Sequence, residues 1–308
     1  MAIIGASIDE NRIDGKVARM EAELEYFRKI GLQAAEILPH AVDAVRNGRL
    51  DGRITKQAAD VCDSFDFTYS VHVPNPVNVM HRSTAELHKK VLRASLEFTE
   101  AINAGIFVYH PGRFLDEEEF SLGLPPTSED QRERLLQDEA DYIRALALDF
   151  PGIAICMENA SPYAGIPPFC YSEQLPPLRD QVLRIGRDNV KITLDIGHMY
   201  MASKLYGFDC VEATKGIAPL IGHTHAHDNF GGLKYHFQKQ EHYLIPFGMG
   251  DLHLPVGWGE IPVSEILGTY ASGYRGIYIM ELRSRYHEDT GESRDNLAAI
   301  LAGLVEAC

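Results

Sequence analysis

The sequence predicts an α/β fold in which eight parallel strands, each followed by a helix, close into a (β/α)8 barrel. Short apolar runs, often β-branched, alternate with longer amphipathic runs from end to end of the 308 residues. Eight strands joined by helices require parallel pairing with right-handed crossovers, and eight such units close naturally into a barrel. An open doubly wound sheet is the alternative, but no glycine-rich turn of the dinucleotide-binding type stands near the start of the chain.

The predicted strands are short, and most of them stop at a polar residue or at glycine or proline. They cover residues 3–8, 34–39, 68–74, 106–110, 153–158, 191–195, 222–227 and 278–282. The clearest helices, at 86–104, 131–148 and 293–305, have apolar residues at helical spacing. Gly105 stands where a C-terminal cap of the first helix belongs, and Ser293 is a candidate N-cap of the last. No change of composition marks a boundary, so we expect residues 1–308 to form a single barrel domain.

One connection is unusually long, residues 228–262, between the seventh strand and the last helix before the eighth. It contains Tyr235, Phe237, Tyr243 and Phe247 among glycines. Loops of this length inside compact domains are commonly lids or binding loops, and a disordered insertion is the alternative. We therefore expect a lid-like loop between strands seven and eight.

The composition, with 45% hydrophobic and 24% charged residues, is that of a globular enzyme. A formal charge of −15, from 29 Lys and Arg against 44 Asp and Glu, repels phosphate backbones and anionic lipid. No basic stripe offsets it, and no run approaches the ~20 apolar residues of a membrane span. We expect a small-molecule substrate rather than nucleic acid or a membrane, while the oligomeric state stays open.

The five cysteines are scattered and form no CxxC pair, which disfavours both a disulfide framework and a cysteine zinc site. They are Cys62, Cys156, Cys170, Cys210 and Cys308. The first residues lack the basic flank and the apolar run of a signal peptide. These features favour the reducing cytoplasm.

Six consecutive predicted strands each bring His, Asp or Glu to their carboxyl end. In a barrel these ends converge on one mouth, where such enzymes place their chemistry. Imidazole and carboxylate without thiolate suit Zn²⁺, Mn²⁺ or Fe²⁺ better than Ca²⁺ or Mg²⁺. The residues are His72, His110, Glu158, Asp195 with His198, His225 with its neighbours His223, His227 and Asp228, and Glu281 with Arg283.

Each of these residues has a simpler explanation when it is taken alone. A single strand-end His is more often a structural hydrogen-bonding residue, and a single carboxylate there is often a helix N-cap. Unrelated structural roles do not readily explain six such residues at matching strand ends. The carboxylates in particular follow apolar residues in a strand, where a buried charge needs a partner or a metal. His227 and Asp228 stay open between a site role and a solvated turn.

The segments that carry these residues resemble the xylose isomerase-like TIM-barrel superfamily, which holds sugar and sugar-phosphate isomerases and epimerases together with the apurinic endonuclease IV family. The matching segments are VHVP at His72, YHPG at His110, MEN at Glu158, LDIGH at Asp195 and His198, HAHDN at His225, DLHLPVGWGEI at Asp251 and His253, and Glu281. They run from strand three to strand eight, and in this order they are specific at the level of the superfamily.

The resemblance implies two alternative metal sites. The one-metal isomerases and epimerases use a Glu, Asp, His and Glu set, which falls here on Glu158, Asp195, His225 and Glu281. Endonuclease IV adds ligands that build a trinuclear zinc site, with a bridging role for the residue at Glu158, and the additions match His72, His110, His198, Asp251 and His253. The Asp251-x-His253 pair separates the two alternatives, although a plain loop turn before Gly257 and Gly259 also explains it.

The chain departs from endonuclease IV where that family carries an aromatic and an aliphatic wedge after its strand-three His. This chain has Asn75 and Pro76 there. Such wedges pry open a duplex, so their loss and the acidic charge argue against a DNA substrate.

Two mechanisms follow, and the surplus of ligands favours the first. Two or three metals, with zinc favoured and manganese or iron possible, would generate hydroxide that hydrolyses a small phosphorylated, sugar-like or nucleotide-like substrate. Alternatively, one metal polarises a carbonyl while Glu158 and Glu281 shuttle a proton through an enediolate. A third possibility is a protein that binds metal without catalysing a reaction, but the mouth of a TIM barrel seldom has only that function.

Two further residues are candidates for substrate binding. Arg283 points inward by strand alternation and would pair with an anionic group or with a neighbouring acidic ligand. Glu36, in strand two, would bind substrate or pair with a polar group of a neighbouring strand.

Overall fold

A closed barrel of eight parallel strands forms the centre of the computed structural model, which describes residues 2–122, 127–166 and 168–306. Strand β1 (Ile3–Ser7) pairs with both β2 (Ala34–Ile37) and β8 (Ile277–Met280), and these two pairings close the sheet. Between β2 and β8 the barrel continues in chain order with β3 (Thr68–His72), β4 (Ile106–Tyr109), β5 (Ala154–Glu158), β6 (Val190–Asp195) and β7 (Ile221–Ala226). The predicted barrel and its eight strands are confirmed, with ends that differ by at most two residues.

Helices surround the barrel between successive strands. They are α1 (Glu10–Ile13), α2 (Val17–Lys29), α3 (Gly52–Cys62), α4 (Ala85–Ala101), α5 (Glu129–Asp149), α6 (Leu175–Ile185), α7 (Ile196–Tyr206), α8 (Cys210–Lys215), α9 (Val263–Gly268) and α10 (Thr290–Glu306). A short antiparallel pair, Val45–Arg46 with Arg49–Leu50, interrupts the connection from β2 to α3. Among the helices of the described ranges, none is long and apolar enough to cross a membrane.

Two predicted helix caps are wrong because the neighbouring structure uses those residues differently. Helix α10 begins at Thr290, so Ser293 lies inside it, and its hydroxyl accepts a hydrogen bond from the Val256 amide (3.0 Å). Helix α4 ends at Ala101, and Asn103 rather than Gly105 takes the left-handed conformation, with φ +55°. Asn tolerates this region better than most side chains, so no glycine is needed there.

The inside of the barrel changes from apolar to polar along the strands. Ala34, Ile277 and Ile279 pack with Ile3 and Ile106, and since β4 and β8 are not neighbours these contacts cross the barrel axis. Inward positions recur every second residue, so Glu36 follows Ala34 and Glu281 follows Ile279 on the same side. The apolar layer therefore closes one end of the barrel and leaves the polar groups at the other. The main hydrophobic core lies between the strands and the helices.

Asp228 fixes the long loop 228–262 to the barrel. Its carboxylate accepts hydrogen bonds from the amides of Asn229 (2.9 Å), Gly257 (3.0 Å) and Ile261 (3.1 Å), and its backbone pairs with Leu254. Asp228 is 1% exposed, so the solvated-turn alternative does not hold. The loop carries two short 3₁₀ turns, Glu241–Tyr243 and Ile245–Phe247, and its second half follows a defined path, while its action as a lid stays a prediction.

We predict that Asp228→Ala lowers the free energy of unfolding by about 2–4 kcal/mol, because buried amides then lose their acceptor. Denaturant unfolding measures this, with Asp60→Ala as the control, since Asp60 forms only an exposed pair with Lys56. Equal midpoints for the two variants would contradict the anchoring role of Asp228.

Candidate metal centre

Four side chains at the mouth, which we call the inner group, converge from neighbouring strands. Glu158 ends β5, Asp195 ends β6, His225 lies in β7 and Glu281 follows β8. Each offers one ligand atom, and these atoms lie within 4.8 Å of one another. Nδ1 of His225 lies 3.2 Å from Glu158 Oε1, 3.6 Å from Glu281 Oε2 and 3.9 Å from Asp195 Oδ2. Ligands about 2.1 Å from a tetrahedral ion are about 3.4 Å apart, so the spacing fits one divalent ion.

Burial and mutual charge give these carboxyl groups different proton affinities. Burial raises the pKa of Glu158, but the surrounding imidazoles, His110 and His225 first, outweigh it and hold that pKa well below its usual value. Burial also raises the pKa of Glu281, and the nearby charge of Glu158 adds to this, so that it reaches about 7. The two groups therefore differ in charge near neutral pH.

Glu158 also contacts two histidines from the preceding strands. Its Oε2 lies 3.2 Å from Nε2 of His72 and 3.2 Å from Nε2 of His110, whereas Oε1 faces His225. The Glu158 carboxylate thus lies between His225 on one side and His72 and His110 on the other. The family resemblance implies a bridging role for Glu158; this position is compatible with that role, which stays a prediction.

A second set of donors, the outer group, consists of His198, His227, Asp251 and His253, whose ligand atoms also lie within 4.8 Å of one another. Asp251 Oδ2 lies 3.0 Å from Nε2 of His198 and 3.1 Å from Nε2 of His253. Oδ1 of Asp251 and Nδ1 of His227 are buried and have no hydrogen-bond partner among the described residues. Buried polar atoms that lack a hydrogen-bond partner are consistent with a cation that binds between them.

Local structure explains how α7 and the loop supply the outer group. Asp195 caps α7, accepting a hydrogen bond from the amide of His198 (2.7 Å), so one residue ends β6, starts the helix and belongs to the inner group. A Cβ at position 197 would overlap the imidazole of His227, so Gly197 is required for that ring to pack. His227 stacks on His253 with ring centroids 4.0 Å apart, and its Nε2 lies 3.0 Å from Asp195 Oδ2.

The structure places the nine predicted ligands at this mouth, although their binding of metal stays a prediction. They are His72, His110, Glu158, Asp195, His198, His225, Asp251, His253 and Glu281. Asp251 and His253 face the other donors, so the plain-turn alternative for this pair does not describe their position.

Glu36, for which the sequence left two roles open, lies inside the barrel beneath the inner group. It is fully buried, where its Oε2 accepts hydrogen bonds from Ser70 Oγ (2.9 Å) and lies 3.1 Å from His223 Nε2. Its Oε1 lies 3.2 Å from His225 Nε2, the ring nitrogen opposite the inner group. These contacts favour the second of its two predicted roles, pairing with polar groups of neighbouring strands, and a role in substrate binding stays a prediction.

Two residues missed by the sequence analysis belong to the mouth. His227 was left open, but it shares the strand alternation of His223 and His225, which would have placed it inward. His40, for which the sequence indicated no role, lines the cavity, and burial, with the charge of His72, lowers its pKa to about 4. No sequence spacing marks His40, because it lies in the turn after β2, beyond the alternation of the strand.

A cavity of about 1030 Å³ opens above the donors, and His72, His110, His198, Asp251, His253 and Glu281 border it. This is near the upper end of the ~300–1,000 Å³ typical of small-molecule sites. Arg283 also lines the cavity, and its Nη2 donates a hydrogen bond to the backbone oxygen of Asp251 (2.7 Å). The position of Arg283 is compatible with an anionic ligand and with its other predicted role beside an acidic residue.

We predict that Glu36→Gln weakens metal binding by about 10- to 100-fold, the usual cost of losing a carboxylate that orients a ligating His. Glutamine keeps the shape but not the charge that holds the His225 ring. Competition with a chelating dye measures the affinity, and Glu265→Gln, on the exposed side of α9, is the control. Unchanged affinity in Glu36→Gln would show that Glu36 does not support the site.

A protein of Methanocaldococcus jannaschii described as uncharacterized is 23% identical over 278 residues, which are 87% of this chain and 92% of that protein. The structure of a D-tagatose 3-epimerase-like protein has a TM-score of 0.68 at 23% identity, over 99% of this chain and 98% of that one. The structure of L-ribulose 3-epimerase has a TM-score of 0.69 at 15% identity, over 100% and 97%. At these identities the likeness shows a shared fold.

A match to a family model, over most of the chain, shows which family the protein belongs to. The model of the family described as xylose isomerase-like TIM barrel matches residues 24–302, which is most of the chain. The predicted resemblance is thus confirmed, and with it an enzyme class that covers metal-dependent hydrolases and sugar isomerases or epimerases. The chain belongs to the xylose isomerase-like TIM barrel family.

Proposed function

We propose that this protein is a metal-dependent sugar isomerase or epimerase. The observation that carries the proposal is the inner group, in which one imidazole nitrogen faces three carboxylates at 3.2–3.9 Å. The resemblance implies this donor set for the one-metal isomerases and epimerases. The names of the two similar structures, a D-tagatose 3-epimerase-like protein and L-ribulose 3-epimerase, support a sugar as the substrate class. This reverses the preference for hydrolysis drawn from the ligand surplus.

The inner group suits a divalent transition metal, because it combines carboxylates with imidazole and no thiolate. Zinc is our first choice, and manganese or iron also fits. When bound there, the metal would polarise a substrate carbonyl and hold the neighbouring hydroxyl.

Glu281 and Glu158 are the acid and base of the proposed reaction. One carboxylate takes the proton from the carbon beside the carbonyl, and the electron pair of the broken C–H bond moves into the carbonyl to give an enediolate. Return of a proton to the former carbonyl carbon, together with transfer of the neighbouring hydroxyl proton to the former carbonyl oxygen, isomerises the sugar. Return of the proton to the opposite face of the carbon that lost it epimerises the sugar. Glu281 borders the cavity, so its carboxylate faces the space that a bound substrate would occupy.

We predict that the metal-loaded protein exchanges a carbon-bound proton of a ketose with solvent deuterium, and that Glu281→Gln lowers the rate by about 100-fold or more. Proton NMR in D₂O follows the exchange over a panel of ketoses. Glu212→Gln, on exposed α8, is the control, and elemental analysis confirms that each variant retains its metal. Native exchange rates in metal-loaded Glu281→Gln would contradict the acid–base role.

Hydrolysis is the second candidate, because the outer group supplies ligands that a one-metal enzyme does not need. Two or three metals together can activate water and stabilise a leaving oxygen. His72 and His110 beside Glu158, and His198, Asp251 and His253 in the outer group, support this candidate.

We predict that His253→Ala binds one ion fewer than the native chain and retains deuterium exchange at a tenth of the native rate or better. The reason is that His253 belongs to the outer group, while the inner group carries the exchange. Elemental analysis and NMR measure the two quantities on the same preparation. Native activity on a phosphate ester that disappears together with the ion would instead favour the hydrolase.

A further inference from the structure

Glu139, on helix α5, is a buried carboxylate that belongs to neither group of the metal centre. It is 1% exposed, and its side chain accepts four hydrogen bonds. Oε1 accepts from the Tyr109 hydroxyl (2.9 Å) and the Gly112 amide (2.6 Å), and Oε2 accepts from the Tyr171 hydroxyl (2.5 Å) and from Gln181 Nε2 (3.0 Å). The donors come from β4, from the turn after it, from the connection after β5 and from α6. One carboxylate therefore joins four separate parts of the chain.

Burial of this carboxyl group has a cost that an apolar side chain would avoid. Hydrogen bonds offset only part of the cost of taking such a group out of water. The neighbouring buried residues of α5, Ala140, Ile143 and Leu146, pack into the core through apolar contacts. Hydrogen bonds, unlike apolar contacts, are directional and fix the orientation of their partners. The carboxylate of Glu139 thus determines where its four donors lie.

Two of these bonds flank His110, one of the predicted ligands at the mouth. Side chains alternate along β4, so Tyr109 points outward to Glu139 while His110 points into the barrel. The Gly112 amide, two residues after His110, donates to the same Oε1. Nε2 of His110 in turn lies 3.2 Å from Glu158 Oε2. The outward hydrogen bonds therefore fix the strand end and the turn that present the His110 imidazole to Glu158.

The turn after β4 has little room for another arrangement. A Cβ at position 112 would lie 2.5 Å from Met80 Cγ and 3.0 Å from Glu139 Oε1, so the backbone of Gly112 passes close to both side chains. The Gly112 carbonyl accepts a hydrogen bond from the Cys170 thiol (3.4 Å). The next residue, Tyr171, donates to Oε2 of the same carboxylate. The turn and the segment beside it are thus both tied to Glu139.

We propose that Glu139 is a positioning residue for the metal centre, and that it acts through the turn after β4 by holding His110 where its imidazole meets an ion bound beside Glu158. This goes beyond the proposed function, which depends on the inner group alone. Because Glu139 lies on the outer side of β4, its influence on metal binding passes through His110.

The test is a double-mutant cycle on zinc affinity, measured by competition with a chelating dye. In Glu139→Gln the side chain keeps its shape, but its amide nitrogen cannot accept a hydrogen bond, so the turn shifts. We expect this variant to bind one ion about 10- to 100-fold more weakly, the range for a lost partner that supports a ligand, and His110→Ala to bind it at least as weakly. The double variant is expected to lie within about 3-fold of His110→Ala. Glu133→Gln, exposed on the same helix, is the matched control.

Nitrogen-15 NMR of the metal-free protein supplies a readout that a general loss of stability does not move. The His110 ring signals, assigned by their disappearance in His110→Ala, are expected to shift in Glu139→Gln. The ring signals of His287, which contacts Glu23 and follows β8, are expected to stay in place. Tyr109→Phe removes one donor and keeps the carboxylate, so it is the second variant if Glu139→Gln does not fold, and we expect the same shift of the His110 signals.

The outcomes separate this proposal from the proposed function. Native zinc affinity and native His110 signals in folded Glu139→Gln, or native signals in Tyr109→Phe where it replaces that variant, overturn the proposal. An additive cycle also overturns it, because the two residues would then act independently. Native affinity in His110→Ala overturns it as well, since His110 would then not be a ligand. Deuterium exchange by the inner group tests the proposed function separately from all of these results.

Discussion

Burial of several carboxylates a few ångströms apart is the constraint on which the rest of this structure depends. Glu158 and Asp195 are fully buried, and with Glu281 they surround one imidazole. Ionised groups removed from water cost several kcal/mol each, so such a set persists only when opposite charge is close. Protonated histidine rings supply part of that positive charge, and a bound divalent cation would supply the rest. The cation and a proton compete for the same imidazole nitrogens.

The surrounding fold is organised to hold this charged set in one geometry. Below it, Glu36 contacts the far nitrogen of His225, and an apolar layer closes the barrel beneath. Asp195 ends β6, caps α7 and belongs to the inner group, so one residue positions both elements relative to the site. Asp228 ties down the loop that carries Asp251 and His253. The donors therefore come from rigid strand ends and from a loop whose return path is fixed.

The barrel could be predicted from the sequence because each strand is a short apolar run and polar residues, glycine or proline follow most strand ends. The sequence also predicted the mouth residues, since a donor at a strand end needs only the strand register to be placed. Interactions across the axis were not predictable in the same way. The role of Glu36 depends on meeting His225 from a strand that is not adjacent to β7, and His40 reaches the cavity through the turn after β2.

Glu281 of the inner group and three residues of the outer group border one cavity, so the position of bound metal is the central question. The most direct measurement is a crystal structure of the metal-loaded protein with anomalous scattering recorded at the zinc, manganese and iron edges. The account predicts an ion about 2.0–2.2 Å from ligand atoms of Glu158, Asp195, His225 and Glu281. Anomalous density that is absent from these four side chains in fully loaded crystals would contradict it.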